Sequence, residues 1–234
     1  MTELLEKIDN LILLTNGLVH INYELNIDNP LFFRIGKESH LVFYRSMVEA
    51  LRGSANLSIT GKTKDIKRLI KYKIGDDPWL QIEKKNIDKC KHAWRYSNPI
   101  PTREPTIMKD PFDINDISDY LQSFYELLAK IQAECFMSHY VHSKPIQVSI
   151  DEMILLEWLH EKIRNEFEHF IPKYYSVSIP DLIDSSILCM KLSYKLLFES
   201  GNVIFHTDNG LIKLILDKNI KILTKKKRNG LTLG

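Results

Sequence analysis

Arg164, Asn165 and His169 stand at fixed spacing in the stretch EKIRNEFEHFIP, Glu161 to Pro172, and these three residue types together can handle a phosphodiester. A His near neutrality gives or takes a proton, an Arg keeps its charge and forks onto phosphate oxygens, and an Asn orients either through hydrogen bonds. That set suits RNA cleavage by attack of the 2′-hydroxyl, which needs a base, an acid and a cation beside the crowded phosphoryl group, and requires no metal. With eight Arg and eight His in 234 residues, an Arg five places before a His arises by chance about one time in four. Requiring one of the fourteen Asn directly after that Arg makes the coincidence roughly one in sixty. Arg34 and His40 also satisfy a looser spacing, but apolar Ile35 follows that Arg. One chain offers one such His, so the second proton-transfer group is expected from a two-fold partner.

The RN-x-x-x-H run, closing an amphipathic helix in an otherwise helical chain, resembles the HEPN superfamily. Catalytic members of that superfamily are metal-independent endoribonucleases with an R-x(4–6)-H motif and a polar residue after the Arg. The resemblance implies that Arg164 stabilises the phosphate, Asn165 orients, and His169 carries the proton chemistry, in a cleft formed by two subunits and without a cofactor. It further implies a homodimer that cuts single-stranded RNA, as a toxin or defence effector held in check by an antitoxin or another regulatory protein. Lys173, Tyr174 and Tyr175 follow at once, a cation and two aromatics placed where an unpaired base could stack, and are the candidate substrate-binding residues. They could equally pack the turn. Glu166 and Glu168 put acid beside the phosphate site. In the competing structural reading, Arg164, Glu161 and Glu168 are surface ion pairs and His169 is a helix C-terminal cation. A competing function is a non-catalytic helical RNA-binding or protein-interaction module of the same architecture.

The element that must position the motif is a helix expected from about Ile150 to Phe170, with Asp151 and Glu152 in its first turn. Leu156, Leu159, Ile163, Phe167 and Phe170 form one apolar stripe; Ile154, Trp158, Asn165 and His169 form a second, read as a subunit interface bordering the site. On an ideal helix Arg164 points about 140° from His169, next to His160, so either the reach of its side chain or a loss of ideal geometry before Pro172 must close the gap. A long helix is expected ahead of it, from Asp113 or Asp116 to about Tyr140, with Ile117, Leu121, Phe124, Leu128, Ile131 and Cys135 as its core stripe. Cys135, His139 and His142 at its end lack a fourth ligand and read as packing, so no metal site is assigned. Behind the motif come a helix from Pro180 to about Phe198, stopped by Gly201, and a segment from Asp208 to Thr224. That last segment reads as a closing helix, with a hairpin through Asn209-Gly210 as its rival.

The expected fold is therefore all-α: an antiparallel four-helix bundle, HEPN-like, over residues 114–224, with residues 1–96 as an N-terminal helical extension on the same core. Residues 97–113 carry four prolines and form a linker; residues 225–234 read as a basic tail. Within the extension, Thr2 to Leu14 reads as a short helix stopped at Asn16-Gly17, and Leu31 to Leu51 as a longer one led by Pro30. Leu41, Tyr44, Val48 and Leu51 are its expected buried face, with His40 a core or edge histidine. Gly61-Lys62-Thr63 is no phosphate loop, because the pattern needs Gly where this chain has Asn56. Between Lys62 and Arg95 eleven Lys and Arg face five Asp and Glu, a surface that RNA could use or a merely solvated one. Net charge is only +2, and 44% hydrophobic content is ordinary for a globular protein. Cys90, Cys135 and Cys189 show no paired spacing, which suits a reducing cytoplasm. No secretory signal and no run of eighteen apolar residues stands out, so a cytoplasmic chain that does not enter the membrane is expected.

Overall fold

Every regular element among the described residues of the computed structural model, which are 9–52, 123–132, 134–137, 140–165, 176–205 and 209–228, is a helix. The all-α expectation holds over that part of the chain. Helix α1 (Asn10–Asn26) starts at Asp9, whose carboxylate accepts the Ile12 amide at 2.8 Å. It runs straight through Asn16-Gly17, where the sequence predicted a stop. The reason lies in its partner, α2 (Phe32–Arg52): a Cβ on Gly17 would sit 3.0 Å from Val42 Cγ2, so the missing side chain lets the two helices close. That packing outweighs a helix-propensity penalty of about 1 kcal/mol. Residues 2–8, the predicted start, lie outside the described residues.

The two helices are antiparallel. Arg45 donates to the Leu13 carbonyl at 2.9 Å and Asn10 to Glu49 at 2.8 Å, while at the other end Glu24 accepts from Arg34 and from the Leu31 amide. Helix α2 follows its expected bounds closely, but its buried side is wider than one stripe. Ile35, Val42, Phe43, Met47 and Leu51 are fully covered, whereas Leu41 and Tyr44 are half-buried, because α2 is flanked by more than one helix.

The long helix expected to reach Tyr140 is two short ones here, α3 (Phe124–Lys130) and α4 (Glu134–Met137). The chain that follows competes for the hydrogen bonds that would continue it. The Ile131 carbonyl accepts the Ile146 amide at 3.0 Å, and the buried Gln132 side chain donates to the Leu128 carbonyl while accepting the Val148 amide. His142 consequently lies in an exposed turn rather than on a helix with Cys135, and no metal-binding group occurs among the described residues. The predicted linker, the basic segment from Lys62 to Arg95 and the helix start at Asp113 or Asp116 lie outside them.

Helix α5 (Ile150–Leu159) opens with a reciprocal cap: the Glu152 amide donates to Ser149 Oγ and the Ser149 amide to Glu152 Oε2. It continues as a π-helical turn, His160–Asn165. Helix α6 (Ile179–Tyr194) has Pro180 in its first turn and also ends in a π turn, Lys195–Glu199. Gly201 then turns the chain at φ 71°, as the predicted stop requires. Helix α7 (Gly210–Arg228) is helical in place of the rival hairpin, and it carries Lys225 to Arg228 in its last turn, beyond the predicted end.

Helix α2 packs against α1 on one side and α6 on the other, and α7 spans α1 and α6. Gly36, early in α2, lies against Leu182 and Ser186, early in α6, and α2 also meets the π turn at the far end of α6, so these two run in the same direction. Helix α7 runs antiparallel to α6, with Lys227 paired to Asp184 at 2.7 Å and Lys213 over the rings of Tyr194 and Phe198. The N-terminal helices thus share one core with the C-terminal ones. Asn219 is a polar tie inside it, donating to the Leu18 carbonyl and accepting from Asn22. No helix among the described residues is long and apolar enough to cross a membrane.

Candidate active site

Leu156, Leu159 and Ile163 are buried as the motif helix predicted, and they hold its end against the core. Ile154 and Trp158, on the second stripe, are partly buried and packed on the same core. Past Leu159 the helix widens into the π turn that contains Arg164 and Asn165. A π turn in an α-helix adds a residue to one turn and shifts every later side chain around the axis, and such turns are frequent at functional sites. The chain from 166 to 169, on which the angle between Arg164 and His169 depends, lies outside the described residues, as do Lys173, Tyr174 and Tyr175.

The first residue of that π turn is tied down firmly. His160 is 5% exposed and its Nδ1 lies 3.0 Å from Nε2 of His40, itself 2% exposed, on α2. A hydrogen bond across that distance needs one ring to donate and the other to accept. The Phe124 ring stacks on both, at centroid distances of 4.7 Å to His40 and 4.6 Å to His160, and Tyr125 meets His160 edge-on at 5.0 Å. The Tyr125 hydroxyl donates to Glu161 Oε1 at 3.0 Å, which engages one of the acids that the surface ion-pair reading assigned to Arg164. Three helices, α2, α3 and α5, thus converge on the turn that carries Arg164 and Asn165.

The pairing of His40 with His160 was missed in the sequence, which placed His40 in the core and noted His160 only as a neighbour of Arg164. No local signal could have joined residues 120 apart. Comparison of this chain with protein-family models, with curated proteins and with solved structures finds no match.

Proposed function

We propose that the chain is a HEPN-like, metal-independent endoribonuclease that cuts single-stranded RNA at a site composed by two copies, in a toxin or defence setting. The observation that carries this reading is the π turn: the Arg-Asn pair of the RN-x-x-x-H run stands where the helix leaves α geometry, one turn beyond a histidine buried in the core. The all-helical architecture of the described residues is compatible with it.

In this reading a base takes the proton of a ribose 2′-hydroxyl, and the resulting oxygen attacks the adjacent phosphorus. The bond to the 5′-oxygen breaks, and an acid protonates that leaving oxygen. The products are a 2′,3′-cyclic phosphate and a 5′-hydroxyl. His169 serves as one proton-transfer group and its copy in the second subunit as the other. Arg164 neutralises the charge that grows on the phosphoryl oxygens, Asn165 orients them, and Lys173, Tyr174 and Tyr175 hold the flanking nucleotide. An antitoxin or similar protein would restrain the activity.

A rival reading, an RNA-binding module without cleavage, draws support from the exposed cations of α7. Incubation of single-stranded RNA in EDTA with the wild type and with His169→Ala, both checked by light scattering as folded dimers, separates the two. Cleavage lost on substitution supports the nuclease. Equal cleavage by both, or none by either across several RNAs, leaves the module.

A further inference from the structure

Helix α7 has two unlike faces. Ile212, Leu216, Asn219 and Leu223 are buried, whereas Lys218, Lys221, Lys225 and Arg228 are exposed at steps of three, four and three. At about 100° per residue these four cations fall within about 80° of one another, on the side opposite the buried row. With about 1.5 Å of rise per residue they make a ladder roughly 15 Å long. Lys221, Lys225 and Arg228 lie side by side with Ile220 and Thr224 on one open face of the helix. Asp217 is the one acid in the helix, and Lys227, on another face, is already paired with Asp184.

We infer that this ladder is a binding face for the sugar-phosphate backbone of single-stranded RNA, remote in sequence from the RN-x-x-x-H motif; the choice of RNA as the polyanion rests on the nuclease reading. Phosphate contacts from Lys and Arg supply most of the sequence-independent affinity for a single strand, and cations on successive turns of one exposed helix face can meet successive phosphates. Leu211 and Leu214 extend the same face with exposed apolar surface on which bases can lie. The Thr224 hydroxyl donates to the Ile220 carbonyl at 2.7 Å, which leaves its oxygen to accept from a ribose 2′-hydroxyl. A membrane surface fits less well. A helix lying in the interface turns its main apolar face to lipid, and that of α7 is turned into the core.

The test measures anisotropy of a fluorescein-labelled oligouridine in EDTA with the full chain carrying His169→Ala, so that binding is read without cleavage. In that background Lys221→Gln, Lys225→Gln and Arg228→Gln are combined and compared with Lys144→Gln, Lys191→Gln and Lys195→Gln, which remove the same charge at exposed positions elsewhere. The ladder variant is expected to lose about tenfold or more in affinity at moderate salt. Its slope of log K against log salt should fall by about 2, since each single-strand phosphate contact contributes about 0.7. The control triple should keep both, and oligothymidine should bind more weakly than oligouridine. If the triple fails to fold by circular dichroism, Lys225→Gln alone should still lower the slope by about 0.7. Equal loss in ladder and control variants overturns the inference, and so does tighter binding to phosphatidylserine vesicles than to oligouridine. The two proposals separate cleanly: ladder-dependent binding without cleavage by the unsubstituted chain keeps this face and removes the nuclease, whereas cleavage with unchanged affinity in the ladder variant does the reverse.

Discussion

His40 Nε2 and His160 Nδ1 face each other at 3.0 Å across the core, joining the middle of α2 to the first residue of the π turn that carries Arg164 and Asn165. Both rings are buried, and the flat face of Phe124 covers them. Removing one ring leaves the facing nitrogen without this partner, at a cost of about 1–3 kcal/mol. His40→Leu and His160→Leu should each destabilise by about that amount in urea unfolding. The double substitution should cost less than their sum by at least about 0.5 kcal/mol, because the second change removes the nitrogen that the first one stranded. Strict additivity would show that the two rings do not act as a pair.

Gly201 closes α6 at φ 71°, and a Cβ there would come within 3.0 Å of the His142 carbonyl oxygen. Backbone oxygen cannot step aside as a side-chain end can. Gly201→Ala is therefore expected to lose about 1–2 kcal/mol or more of unfolding free energy, and Gly201→Asn should also destabilise, because Asn tolerates the left-handed region but its Cβ meets the same oxygen. An alanine variant as stable as the wild type would mean that the turn is made differently.

Burial holds the Cys189 thiol well above the usual thiol range, and its side chain has no exposed surface. The thiolate is the reactive form, so Cys189 should resist iodoacetamide in the native protein even at pH 8.5. Peptide mapping by mass spectrometry should find it modified only in denaturant. Rapid native labelling would place that face of α6 outside the core.

Asn219 is buried without exposure, donating to the Leu18 carbonyl at 3.0 Å and accepting from Asn22 at 2.8 Å. Asn219→Ala should cost about 1–3 kcal/mol, because it loses both bonds and leaves a hole between α1 and α7. An unchanged urea midpoint would mean that α1 and α7 do not meet at Asn219.

Much of the fold was legible wherever a local signal and tertiary packing agreed. Pro30, Pro180 and Gly201 marked helix boundaries, because each constrains the backbone by its own chemistry wherever it stands. Gly17 misled for the opposite reason. Glycine ends helices and also lets helices approach, and only the position of Val42 decides between the two. The break at Ile131 was equally hidden, since the Ile146 amide that captures its carbonyl arrives from fifteen residues away. At the site, the apolar stripe of α5 was readable from its period. The π turn was not, because no residue type encodes it. Nor was the histidine pair, which exists only once α2 and α5 are packed together.

The most direct test of the nuclease reading is the chemical nature of the RNA ends left after incubation in EDTA, read by mass spectrometry for the wild type, Arg164→Ala and His169→Ala. New fragments ending in 2′,3′-cyclic phosphate with the wild type, suppressed at least about a hundredfold in both variants, are the predicted result. Intact RNA with folded, dimeric wild type, or the same fragments from all three proteins, would contradict it.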